Sequence, residues 1–203
     1  MQDAARHWNA VFETKATDEV SWFQAAPVTS LRLLKGWALP GSSLIDVGAG
    51  ASTLADELVG AGWKDVTVLD VSEAALTKVR KRLGERLDAV TFVAGDVRTW
   101  QSERTYSAWH DRAVFHFLVE PSDRDHYVAT ASKAIAPGGV AVLATFAADG
   151  PVECSGLPTL RYDAESLARI FGSAFSLEHA EREEHTTPFG TIQPFTWAVL
   201  RRV

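Results

Sequence analysis

The sequence predicts an α/β three-layer sandwich on a seven-stranded, mostly parallel sheet, and three observations carry that reading. First, Leu44-Ile45-Asp46-Val47 is a short apolar run followed by Gly48 and Gly50, after which Ser52 or Thr53 opens an amphipathic helix. Second, apolar runs alternate with helical stripes, and the first three carry an acid within or just after them, Asp46, Asp70 and Asp96. Third, the last two runs, Phe175 to about Glu184 and Phe195 to Leu200, are joined by a turn-rich loop without a helix, so as neighbours they must pair antiparallel.

Composition narrows the class. The 203 residues, 46% hydrophobic and 23% charged, suit one α/β domain spanning 1–203, with an N-terminal helical and aromatic lid segment expected over 1–40 and the core over 41–203. A net charge of −6 argues against nucleic acid as partner, and the cluster Lys78-Val79-Arg80-Lys81-Arg82 reads as the solvated face of a helix. No stretch approaches the length of a membrane span, the first residues lack a signal-peptide core, and Cys154 is the only cysteine. The expectation is a soluble cytoplasmic protein with no membrane partner.

Taken in order, Ala4 to Thr14 places Trp8, Val11 and Phe12 on one helical face. Trp8 and Trp37 are read as caps on the sheet. Val20-Ser21-Trp22-Phe23-Gln24 has no periodicity and is expected to close over a site. Pro27 opens a helix with Leu31, Leu34 and Trp37 on one face, and Pro40-Gly41 ends it. Leu54, Leu58 and Val59 face inward from the next helix, Asp65 to Leu69 forms the second strand, and Leu76, Val79, Leu83 and Leu87 make a core-facing stripe. Val90 to Gly95 is the third strand. The fourth ends near His110 or Asp111, with Arg112 to Leu118 turning back across the top of the sheet. A helix begins at Pro121-Ser122, carries Tyr127, Val128, Ala131 and Ile135 inward, and breaks at Pro137-Gly138-Gly139 before the strand Val140 to Phe146. Ala147 to Arg161 is a long loop, assigned to the pocket, and Asp163 caps a short helix.

The corner at residues 44–53 suits a nucleoside-bearing small molecule. Glycines permit a tight turn without side chains in the way, and the helix start presents free N–H groups. Asp70, about 20 residues beyond, is placed to accept two ribose hydroxyls. With Asp46, Gly48, Gly50, Asp70 and Asp96 in this pattern, the chain resembles the class I S-adenosylmethionine-dependent methyltransferases, small single-domain bacterial-type members in particular. The helix, Pro-Gly-Gly and apolar strand at 121–146 resemble the family's connection into its fifth strand. The resemblance implies a Rossmann-like sheet of order 3-2-1-4-5-7-6 with one reversed strand.

It also implies S-adenosylmethionine as cofactor and S-adenosylhomocysteine as product. Gly48 and Gly50 would line the methionine part, Asp70 would hold the ribose, and Asp96 with Val97 would meet the adenine; Asp46, Ser52, Val71 and His110 complete the expected cofactor set. Ser52 stands where many members have glycine. Trp22, Phe23, Arg112 and Phe146 are expected to bind the acceptor. His116 is the candidate general base, since neutral imidazole takes a proton near pH 7, and a histidine satisfied by backbone is its alternative. Asp111 would orient the donor's amino group or the acceptor, or else pair with Arg112. Cys154 reads either as a pocket residue or as a small buried side chain. No metal is required, and no metal-ligand spacing is present.

The expected activity is methyl transfer by in-line displacement to a small organic acceptor, with a protein lysine as the alternative acceptor. A cofactor-binding domain without catalysis and an NAD-dependent oxidoreductase are the other classes considered. The latter's third fingerprint glycine would fall at Thr53.

Overall fold

The computed structural model describes residues 2–39 and 41–203, so the break expected at Pro40-Gly41 lies partly outside the described residues. Seven strands form the main sheet: β1 (Leu44–Val47), β2 (Val66–Asp70), β3 (Val90–Ala94), β4 (Tyr106–Arg112), β5 (Ile135–Phe146), β6 (Phe175–Thr186) and β7 (Ile192–Arg202). Their order is β3-β2-β1-β4-β5-β7-β6. β1 to β5 run parallel, while β7 lies antiparallel to both β5 and β6. The order expected from the resemblance is the observed one. Parallel strands reached through crossovers bury both faces, so β1 and β2 are buried at every residue.

Among the described residues six α-helices flank the sheet: α1 (Gln2–Thr14), α2 (Val28–Trp37), α3 (Leu54–Gly60), α4 (Glu73–Leu83), α5 (Pro121–Ala134) and α6 (Ala164–Phe171). Leu33, Leu34, Leu54, Leu58, Leu76 and Val79 from α2, α3 and α4 pack one face against Val66, Val68, Val140, Val142 and Trp197. Tyr127, Ala131, Leu167 and Phe171 from α5 and α6 pack the other against Ile45, Trp109, Leu143 and Leu200. Adjacent strand residues thus feed opposite cores, as pleating demands.

Several local signals act as expected. The Asp163 side chain accepts the Ser166 N–H at 2.7 Å and caps α6. Pro121 occupies the first turn of α5, where its missing N–H costs nothing. Two boundaries and one packing contact differ. Gly84 at φ +56° stops α4, so Leu87 lies in a following 3-10 turn and is 38% exposed, outside the core expected for it. Ile135 begins β5 opposite Tyr106 rather than ending the helix. Trp8 does not cap the sheet; it stands edge-on to Trp22 and Phe117.

Candidate active site

The C-terminal ends of β1, β2 and β4 open into a cavity of about 260 Å³, closed on the far side by α1 and the segment through Trp22, Phe23 and Gln24. Ligands of open α/β sheets gather at this edge, where crossovers on opposite faces leave a crevice. A second, antiparallel ribbon within the long loop, Glu153–Cys154 against Leu157–Pro158, contributes Cys154 and Leu157 to the wall.

The glycine loop is shaped by what lies on it. Gly48 has φ +60° and Gly50 φ +55°. A Cβ on Gly48 would fall 1.9 Å from Val114 Cγ2, and one on Gly50 would fall 3.0 Å from Phe12 Cζ. The chain's own side chains therefore require the bare backbone here, and they cover the loop. Asp70 ties the loop to β2: its Oδ2 accepts the Gly50 N–H at 2.7 Å and its Oδ1 the Ser72 N–H at 2.7 Å. Each oxygen keeps room for a second donor. Burial nevertheless outweighs those bonds and pushes the carboxyl up to about 6.

At the loop's other end Asp46 and His110 form a buried relay. His110 Nδ1 donates to Asp46 Oδ1 at 2.7 Å, and its Nε2 shares a hydrogen bond with the Ser30 hydroxyl at 3.0 Å. Thr53 Oγ1 is buried at the start of α3 with no partner among the described residues. Asp96 is heavily engaged. It takes Arg98 Nε at 2.9 Å together with Arg98 Nη2, and Arg98 in turn reaches Asp123. The Arg98 bonds outweigh burial and lower the Asp96 carboxyl below its ordinary range.

Every residue expected to meet the cofactor (Asp46, Gly48, Gly50, Ser52, Asp70, Val71, Asp96, Val97 and His110) lines this one cavity. So do Trp22, Phe23, Arg112 and Phe146, expected at the acceptor end. The two residues expected to catalyse do not line it. Asp111 points into the opposite core, where it accepts the N–H groups of Val114 and Phe115 and the Tyr127 hydroxyl. It holds the turn after β4, and burial pushes its carboxyl up to about 6. No bond joins it to Arg112.

His116 is wholly buried between Phe117 and Phe146. Its Nδ1 accepts the Phe146 N–H at 3.2 Å, which puts the proton on Nε2, and Nε2 has no partner among the described residues. Burial and the nearby Arg112 charge push its pKa down to about 3. A ring whose lone pair is taken by backbone and whose charged form is this disfavoured is a poor base.

The sequence places a helix at α1 but does not say which of its residues meet the cavity. Trp8 and Phe12 line the cavity, and Asn9 Oδ1 accepts the Ser72 hydroxyl at 2.8 Å and the Ala74 N–H at 3.2 Å, pinning the helix over the β2 corner. The one-faced spacing of Trp8, Val11 and Phe12 was the available signal, but such a stripe does not say which surface it covers.

The residues present fit a sulfur nucleoside. An acid with spare acceptor capacity lies at the end of β2, bare backbone turns at the end of β1, and an unpartnered hydroxyl sits at the helix start. Comparison with known proteins agrees. Residues 44–139 match the family model described as a methyltransferase domain. The N-methyltransferase NodS of Bradyrhizobium japonicum WM9, solved with S-adenosylhomocysteine, superposes with a TM-score of 0.74 at 17% identity, covering 97% of this chain and 98% of that one. A 1,6-didemethyltoxoflavin-N1-methyltransferase of Burkholderia thailandensis gives 0.71 at 19% identity, over 100% and 85%. By sequence, 94 residues are 22% identical to the eEF1A lysine and N-terminal methyltransferase of Mus musculus; they make up 46% of this chain and 13% of that protein's length.

Proposed function

We propose that the chain is a class I S-adenosylmethionine-dependent methyltransferase that transfers a methyl group to a small-molecule acceptor, a reading supported by the methyltransferase-domain match over residues 44–139 and by the shared fold. The observation that supports this most is the single cavity joining the Asp46, Gly48, Gly50 and Asp70 corner to an enclosed aromatic end at Trp22, Phe146 and Phe195. When bound, S-adenosylmethionine supplies a methyl already activated by a sulfonium charge.

The chain's residues then have four tasks. Asp70 takes the ribose hydroxyls. The glycine loop and Thr53 take the amino-acid end, with Asp46 held in place by His110. Trp8, Phe12 and Val114 keep water from the loop. Trp22, Phe146 and Phe195 hold the acceptor in line with the methyl. No free base serves the acceptor among the described residues: both His110 nitrogens are committed, and burial pushes the Cys154 thiol up. This favours a nucleophile that attacks with its lone pair already free, such as a neutral amine.

A protein lysine is the second reading, favoured by the Mus musculus relative. The closed acceptor end favours the small molecule. Calorimetric titration with S-adenosylmethionine and S-adenosylhomocysteine, beside NAD and NADP and with Asp70→Ala as control, tests the cofactor. Sulfur nucleosides should bind and the variant should weaken them sharply, whereas binding of the dinucleotides alone overturns the reading. S-adenosylhomocysteine release with small amines and with lysine peptides then separates the two acceptor classes.

A further inference from the structure

Arg112 closes β4 at the acceptor end of the cavity. Its Nη1 donates to the Trp22 carbonyl at 3.0 Å, and its guanidinium lies 4.6 Å from the Phe195 ring centre. The other two nitrogens, Nε and Nη2, are shut off from solvent and meet no acceptor among the described residues. Together they carry three N–H donors.

These two nitrogens form one edge of the guanidinium, and that edge can donate parallel hydrogen bonds to both oxygens of a carboxylate. The group is still a cation at neutral pH, although burial pushes its pKa down to about 10. Buried charges are ordinarily paired. Glu183 supports the cation electrostatically, but its oxygens take Gln24 Nε2 at 3.1 Å and Trp197 Nε1 at 2.7 Å and form no ion pair with it. His185 faces the same group, burial and the Arg112 charge lower its pKa, and its Nε2 donates to the Ser21 carbonyl at 2.8 Å. Arg112 thus lines the aromatic end of the cavity with two of its three guanidinium nitrogens buried and unpaired among the described residues.

We propose that the methyl acceptor carries a carboxylate, docked on the Nε–Nη2 edge of Arg112, with its apolar body against Trp22, Phe146 and Phe195. This rests on the methyltransferase reading and names the acceptor's class. The carboxylate would fix which end of the acceptor lies deep and so present the nucleophile toward the Gly48 loop. Trp22 links this contact to the covering segment, because its carbonyl holds the same guanidinium.

The test uses protein saturated with S-adenosylhomocysteine and titrated calorimetrically with phenylacetate and hexanoate, each beside its neutral amide. The carboxylates should bind at least tenfold more tightly than the amides. Arg112→Met should abolish that preference and Arg112→Lys should keep part of it, with near-UV circular dichroism reporting the fold. If Arg112→Met does not fold, the Lys variant decides, since it loses the paired donors and keeps the charge. Equal binding of acids and amides, no binding of either acid, or a preference that survives undiminished in either variant overturns the proposal. Failure of wild-type protein to bind S-adenosylhomocysteine instead overturns the reading beneath it.

Discussion

The Gly50 N–H donates to Asp70 Oδ2 at 2.7 Å, so the tip of the β1 turn is tied to the acid that ends β2. The carboxyl is buried and its pKa is about 6 in the folded chain against 3.8 when exposed. Between those values the folded state binds more protons than the unfolded one, so this group's stabilising effect is largest at low pH and falls as pH rises from about 4 to 6. The stability of Asp70→Asn relative to wild type should therefore improve across that window and level off above it, as measured by urea denaturation at several pH values. A constant difference would contradict the assigned protonation. Wild-type affinity for S-adenosylhomocysteine should run the other way, strengthening as pH rises through 6 and the carboxylate forms.

Gly48→Ala combines a left-handed backbone with a Cβ 1.9 Å from Val114 Cγ2. A loss of about 2–4 kcal/mol is expected from the two effects. Adding Val114→Ala removes the methyl contact and leaves the backbone strain, so the double variant should recover part of the loss. Strict additivity in denaturant unfolding would show that Val114 is not the obstacle.

His116→Gln retains an acceptor for the Phe146 N–H. Removing a general base costs about 10²–10⁴ in rate. Turnover of this variant should fall less than tenfold, and its pH–rate profile should keep the wild-type limbs. A loss of two orders of magnitude would restore His116 to the chemistry.

Asp111→Ala strands the Val114 and Phe115 N–H groups in the core. Each unmet buried donor costs about 1–3 kcal/mol. The variant's defect should appear as a lower denaturation midpoint, with turnover per folded molecule within tenfold of wild type.

Asn9→Ala frees α1 from Ser72 and Ala74. S-adenosylhomocysteine should dissociate faster, and the amides of Gln2–Thr14 should exchange hydrogen sooner. Unchanged dissociation would mean that α1 does not cover the bound nucleoside.

The corner at 44–53 was legible because its signals are local. Apolar run, glycines and helix start lie within ten residues, and the acids that follow recur at the ends of strands. The reversed last strand was legible because no crossover separates β6 from β7. Leu87 was not, since its stripe spacing is helical and Gly84 ends the helix first.

The site divides along the same line. Sequence by itself determined the alternation of strands and helices, the glycine loop and the acids that follow the strands, because periodicity, turn chemistry and spacing are properties of short stretches; the strand order came through the resemblance they carry. Tertiary structure alone decided which neighbours of β4 face the cavity. Pleating turns His110 and Arg112 to one face and Asp111 to the other, and a register shifted by one residue would exchange them. That register is set by β1 and β5 on either side, and the folding of Phe115–Phe117 behind Phe146 then carries His116 into the core, contacts that no short stretch of the chain contains.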